Sequence, residues 1–85
     1  MSPFTEKQAT VVMALVRGHS MPSAANELGM KLSSVAYLTE AAKRRVGVET
    51  IGELARVAVE SGIVSDGEVD WDGIGYRSKN KHARV

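Results

Sequence analysis

Ala24-Ala25-Asn26-Glu27-Leu28-Gly29-Met30-Lys31-Leu32-Ser33-Ser34-Val35 is the stretch whose reading decides the fold. It carries the spacing Ala-x3-Gly-x5-Val at Ala25, Gly29 and Val35, between two segments of helical periodicity. Where two helices cross closely, the first must present a small side chain, and Ala25 does. The tight turn that follows needs a backbone able to adopt positive φ, which glycine permits without a Cβ penalty. Val35 then seats the second helix against the first. Ala24, Leu28, Met30, Leu32 and Leu38 are expected to fill the positions around this frame. The pattern predicts a helix-turn-helix, a unit that usually lays its second helix in the major groove of DNA.

Helix signals continue on both sides. Thr5-Glu6-Lys7-Gln8 has capping-box spacing, and Val11, Val12, Leu15 and Val16 then recur at helical intervals up to Gly18. Phe4 stands just before the cap, placed to staple onto this first helix. Ser20 caps a second helix running to Leu28, with Pro22 tolerated in its first turn. A third helix spans about 32–46, with Leu32, Val35, Leu38, Thr39, Ala42 and Val46 on its inner face and Gly47 as its stop. Thr50-Ile51-Gly52-Glu53 repeats the capping box and opens a fourth helix, whose inner face reads Ile51, Leu54, Ala55, Ala58 and Gly62. Ile63 and Val64 are expected to close the compact part. The expectation is an all-α, four-helix domain over 1–64 with an irregular tail over 65–85.

Composition narrows the function classes. At 85 residues the chain makes one small domain, and its core is correspondingly modest. It has no cysteine, so neither a disulfide framework nor a thiolate metal site is available. No apolar run approaches the roughly 18 residues of a membrane span, and no signal-peptide pattern opens the chain. The expected setting is therefore cytoplasmic, with no membrane partner. Net charge is only +1, weak for a nucleic-acid binder, but it is segregated. Asp66, Glu68, Asp70 and Asp72 form an acidic stretch, followed by Arg77, Lys79, Lys81 and Arg84 with no acid among them. The plain reading of this tail is a solvated, partly disordered C terminus. The functional readings are a basic arm lying along DNA, or acids that cover the DNA-reading face. Trp71, Ile74 and Tyr76 are spaced so that some of them dock back onto the core.

Residues 4–64 resemble the LuxR-type (GerE-type) helix-turn-helix domain, a relative of sigma-factor region 4. Phe4-Thr5 stands where the family opens with Leu-Thr, and Gly18-His19-Ser20 where its first helix ends in Gly-x-Ser. Ala24-Ala25-x-x-Leu28-Gly29-Met30 matches Ile-Ala-x-x-Leu-Gly-Ile, and Ser34-Val35 stands for Thr-Val. Arg44-Arg45-Val46-Gly47-Val48 matches the ending of the recognition helix, while Glu53-Leu54 and Glu60-Ser61-Gly62-Ile63-Val64 look like the fourth helix. The resemblance implies that the third helix reads bases and that the fourth mediates dimerisation on DNA. It carries Ser20, Ser34, Arg44 and Arg45 over as contact residues. Four positions depart from the pattern. Ala36 and Leu38 replace a lysine and a histidine, Lys31 stands where serine is common, and Pro22 replaces a basic residue.

Helical geometry orders the third helix independently. At about 3.6 residues per turn, the row opposite Val35 is Ser33, Tyr37, Glu40 and Arg44. Arg44 suits guanine or a phosphate, Glu40 a cytosine amino group, and Tyr37 a phosphate or a thymine methyl. The same row is also an ordinary exposed helix face. Lys31 at the helix N-terminus opposes the macrodipole unless a phosphate lies nearby. Lys43, Arg44 and Arg45 suit a helix C-terminus with or without DNA. On the fourth helix Leu54, Val57 and Ser61 are the candidates for a dimer seam, with Val57 expected at the surface.

Nothing in the chain suggests an enzyme. His19 and His82 lack triad partners, and no glycine-rich phosphate loop is present. The acidic run lacks the glycine and terminal glutamate of a calcium loop, so no metal and no cofactor are expected. The sequence thus points to a stand-alone transcriptional regulator that binds double-stranded DNA, with a homodimer through the fourth helix as one arrangement. The rival is a helix-turn-helix protein-interaction module docking on RNA polymerase, a sigma factor or another regulator.

Overall fold

In a computed structural model, which describes residues 2–74, four helices follow one another. They are α1 (Glu6–Val16), α2 (Met21–Leu28), α3 (Leu32–Val46) and α4 (Ile51–Glu60), with a short 3-10 turn at Asp66–Glu68. The fold is all-α, and no strand occurs among the described residues.

Local chemistry accounts for the helix ends. Thr5 and Thr50 each form a reciprocal capping box, with Gln8 and Glu53 as the third helical residues. Ser20 Oγ accepts the Ser23 N–H and caps α2. All four helices end on a glycine of positive φ with a bond closing six residues, such as Met30 N–H to Ala25 C=O at 2.9 Å. Gly29 (φ 66°) has open space where a Cβ would stand, so the turn between α2 and α3 demands its backbone angle alone. Gly18 (φ 106°) is different. A Cβ there would lie 2.7 Å from Asp70 Oδ2, so it is also a point of close approach.

The core has two halves joined by α1. Val11, Ala14 and Leu15 meet Ala24 and Ala25 of α2 and Val35 of α3. Val12 and Val16 meet Phe4, Ala42, Leu54, Ala55, Ala58, Val64 and Val69. The expected inner faces of α1 and α2 and the seat of Val35 are as the spacing predicts. Thr39 is the buried polar residue, and its hydroxyl donates to Val35 C=O at 2.7 Å one turn earlier.

Leu38 is half-buried, packing against the α2–α3 side of the core as expected while its outer edge lines a surface groove. Two expected core positions differ. Leu32 is 50% exposed because it opens α3 a turn before Val35, the first buried residue of that helix. Gly62 lies beyond α4 in an exposed left-handed turn, not on its inner face.

The compact part also runs past the expected boundary at Val64. Val69 is buried in the α1–α4 core, and Trp71 and Ile74 pack against the same cluster. The Asp70 N–H donates to Val16 C=O at 2.9 Å, and Arg17 pairs with Glu68 at 3.0 Å. Residues 65–74 therefore strap the end of α1. Two of the acids are engaged in this segment: Glu68 accepts from Ser65 and Arg17, and Asp70 from the Gly73 N–H. Arg77, Lys79, Lys81 and Arg84, with Tyr76 and His82, lie outside the described residues.

Two measurements check the strap. Val69→Ala removes two buried methyl groups and is expected to cost about 1–2 kcal/mol in urea unfolding. Glu68's carboxyl is held below its ordinary value of 4.5 by the Ser65 backbone N–H, then by the Arg17 side chain and the Ser65 hydroxyl. A depressed folded pKa contributes stability that is complete above the unfolded value and is lost as pH falls through the folded one. Wild type should therefore melt higher than Glu68→Gln near about pH 7, and the difference should shrink as pH falls below 4.5 through the folded value.

Candidate nucleic-acid interface

The candidate interface lies on α3. Its inner side, Val35, Thr39 and Ala42, packs inward, which turns the opposite row outward. Ser33, Tyr37, Glu40 and Arg44 are all exposed, as the helical wheel predicts. Tyr37 is 68% exposed. Lys31 is the N-cap residue of α3, exposed, and makes no side-chain capping bond.

The other cations near this row are less available than their number suggests. Lys43 is folded back on Glu40 at 3.2 Å, with only 17% of its side chain exposed. Glu40 is thereby partnered too. Arg45 Nε donates to the Pro3 carbonyl, which ties the C-terminal end of α3 to the segment before α1. Arg44 is the residue of the basic triplet that points outward with no intramolecular bond. Ser34 is half-buried, and Ser20's hydroxyl is engaged in capping α2.

Tertiary packing adds Lys7, which the reading of the sequence missed, and Met30, expected only as filling the frame. Lys7 of α1 and Met30 of the turn line an open groove of about 410 Å³ with Ser33, Ser34, Tyr37 and Leu38. Lys7 looks like any exposed residue in a first helical turn, and only the crossing of α1 and α3 brings it beside Tyr37. Leu32 was placed in the core and instead joins the outer surface, beside Ser33.

Of the residues expected at a dimer seam on α4, one lies in the core and two are half-buried. Leu54 is fully buried among the residues of its own core. Val57, expected outside, is half-buried and packs on the same core. The Ser61 hydroxyl donates back to Val57 C=O at 2.8 Å. The outward side of α4 consists of Glu53, Arg56 and Glu60, the last two paired at 3.7 Å.

His19 does meet a hydroxyl: its Nδ1 lies 2.8 Å from Ser23 Oγ, four residues on. The contact is local to the start of α2. Among the described residues no group of three His, Asp or Glu side chains is placed to hold a metal ion. No described helix is long and apolar enough to cross a membrane. No family model, curated protein or solved structure matches the chain.

This division between buried and outward residues is measurable. Leu54→Ala should cost about 2–5 kcal/mol of stability, as a cavity in the core does. Arg44→Ala should leave the unfolding midpoint within about 0.5 kcal/mol of wild type.

Proposed function

We propose that this chain binds double-stranded DNA sequence-specifically and regulates transcription, with α3 lying in the major groove. The observation that supports this best is the outer row of α3, whose members are exposed on a helix held rigidly from behind. A B-DNA major groove is about 12 Å wide and admits one α-helix, reached best by the second helix of a helix-turn-helix. Lys31 and Arg44 stand at the two ends of the row, where phosphates would lie. The LuxR-type resemblance of residues 4–64 leans the same way and rests on the residue pattern alone. A second copy, if it docks through α4, would meet Glu53, Arg56 and Glu60 rather than Leu54.

One observation favours the rival reading of a protein-interaction module. All 10 Asp and Glu lie within residues 6–72, while Arg77, Lys79, Lys81 and Arg84 follow, so the described part is net negative. DNA binding then has to work through locally placed cations rather than overall charge.

Selection of a random duplex library by the full chain at physiological salt separates the two readings. An enriched motif is expected, and a palindromic one would add a dimer. Affinity for it should fall linearly in log–log salt plots. Arg44→Ala and Tyr37→Ala should each lose about 1–3 kcal/mol of binding while still folding. Retention only at low salt with no enrichment would favour docking on RNA polymerase, a sigma factor or another regulator.

A further inference from the structure

The exposed large apolar side chains among the described residues are Leu32, at 50%, and Tyr37, at 68%. Both lie on α3. With Ser33 and the half-buried Ala36 they occupy positions i, i+1, i+4 and i+5, the corners of one patch over the first turn and a half. This is the end at which a recognition helix comes nearest the base edges.

The patch is defined as much by the groups it omits. Guanine is read through O6 and N7 by Arg or Lys, adenine through N6 and N7 by Asn or Gln, and cytosine through N4 by a carboxylate. None of these residue types occurs between Leu32 and Thr39. Thymine is the base that presents an apolar group to the major groove, its C5 methyl. Charge is arranged around the patch and not within it. Lys31 precedes Leu32, Lys7 reaches the groove beside Tyr37, and Arg44 lies two turns along the same row as Tyr37. An uncharged centre with cations at its margins complements the groove floor and its flanking phosphates.

We propose that the first turn and a half of α3 reads thymine through its C5 methyl group. Leu32 and Tyr37 are the apolar contacts, and the Ser33 hydroxyl meets a neighbouring base edge. This inference rests on the DNA-binding reading above and deepens it by naming the group that is recognised. Specificity at these positions then comes from burying methyl groups against side chains the fold leaves exposed, not from bidentate hydrogen bonds.

The test takes the duplex enriched by the full chain and replaces its thymines by deoxyuridine one at a time. The substitution deletes the methyl and keeps the base pair. Affinity is expected to drop about 3- to 5-fold at each contacted thymine, the effect of one buried methyl. Leu32→Ala, at a surface position that leaves the core intact, should erase the drop at one of those positions, so that thymine and uracil bind alike. If every deoxyuridine duplex binds as well as its parent, methyl readout is overturned while DNA binding stands. If Leu32→Ala and Tyr37→Phe or Tyr37→Ala all leave the thymine preference unchanged, the assignment to this patch is overturned. If no duplex is enriched and none is retained at physiological salt, the DNA-binding reading falls and takes the inference with it.

Discussion

The burial of α1 on two sides is the constraint on which the structure depends. Val11, Ala14 and Leu15 face α2 and α3, while Val12 and Val16 face α4 and the strap. A helix so enclosed acts as the common wall of two small cores. Neither core would be large enough alone in a chain of 85 residues. The strap matters for the same reason. Val69, Trp71 and Ile74 extend the thinner side of the wall, where α4 by itself contributes Leu54 and two alanines as its buried non-glycine residues.

α3 joins the two cores. Val35, near its start, belongs to the cluster with α2, and Ala42, two turns later, to the cluster with α4. Held at both points along its length, α3 has little freedom to roll about its axis, so its outer row keeps one orientation. The charges at its far end help in the same way. Lys43 bridges to Glu40, and Arg45 reaches the Pro3 carbonyl, so two cations of the triplet serve the fold and Arg44 is left facing outward. Counting basic residues overstates the electrostatic strength of this surface. Its chemistry is mixed: an apolar patch at one end, polar and charged groups toward the other.

Much of the architecture was legible because its signals are local. A threonine three residues before Gln8 or Glu53, and a glycine after each apolar run, describe helix ends through contacts made within a few residues. The inner faces of α1 and α2 and the seat of Val35 were legible from periodicity, since a helix has one geometry. Periodicity misled at the helix margins. Leu32 has the right phase for the core and the wrong position along the axis, a turn ahead of Val35, where the burial of α3 begins. Leu54 falls on the inner face as its phase predicts, whereas Val57, whose phase puts it outside, is half-buried because of how deeply α4 sits in the core.

By itself the sequence determined an all-α fold of four helices, their capped ends, the glycine turn between α2 and α3, and the outward row Ser33, Tyr37, Glu40 and Arg44. These follow from backbone geometry and side chains within one or two turns of each other. The docking of Trp71 and Ile74 follows the spacing of the tail, but only the tertiary structure decided that Val69 anchors that stretch as a strap on α1, and that Lys7 lines one groove with Tyr37. It alone decided that Arg45 belongs to the fold and that Leu32 belongs to the surface. Each of these depends on which distant segments meet, and such meetings are set by how the two cores close around α1, which no local spacing encodes.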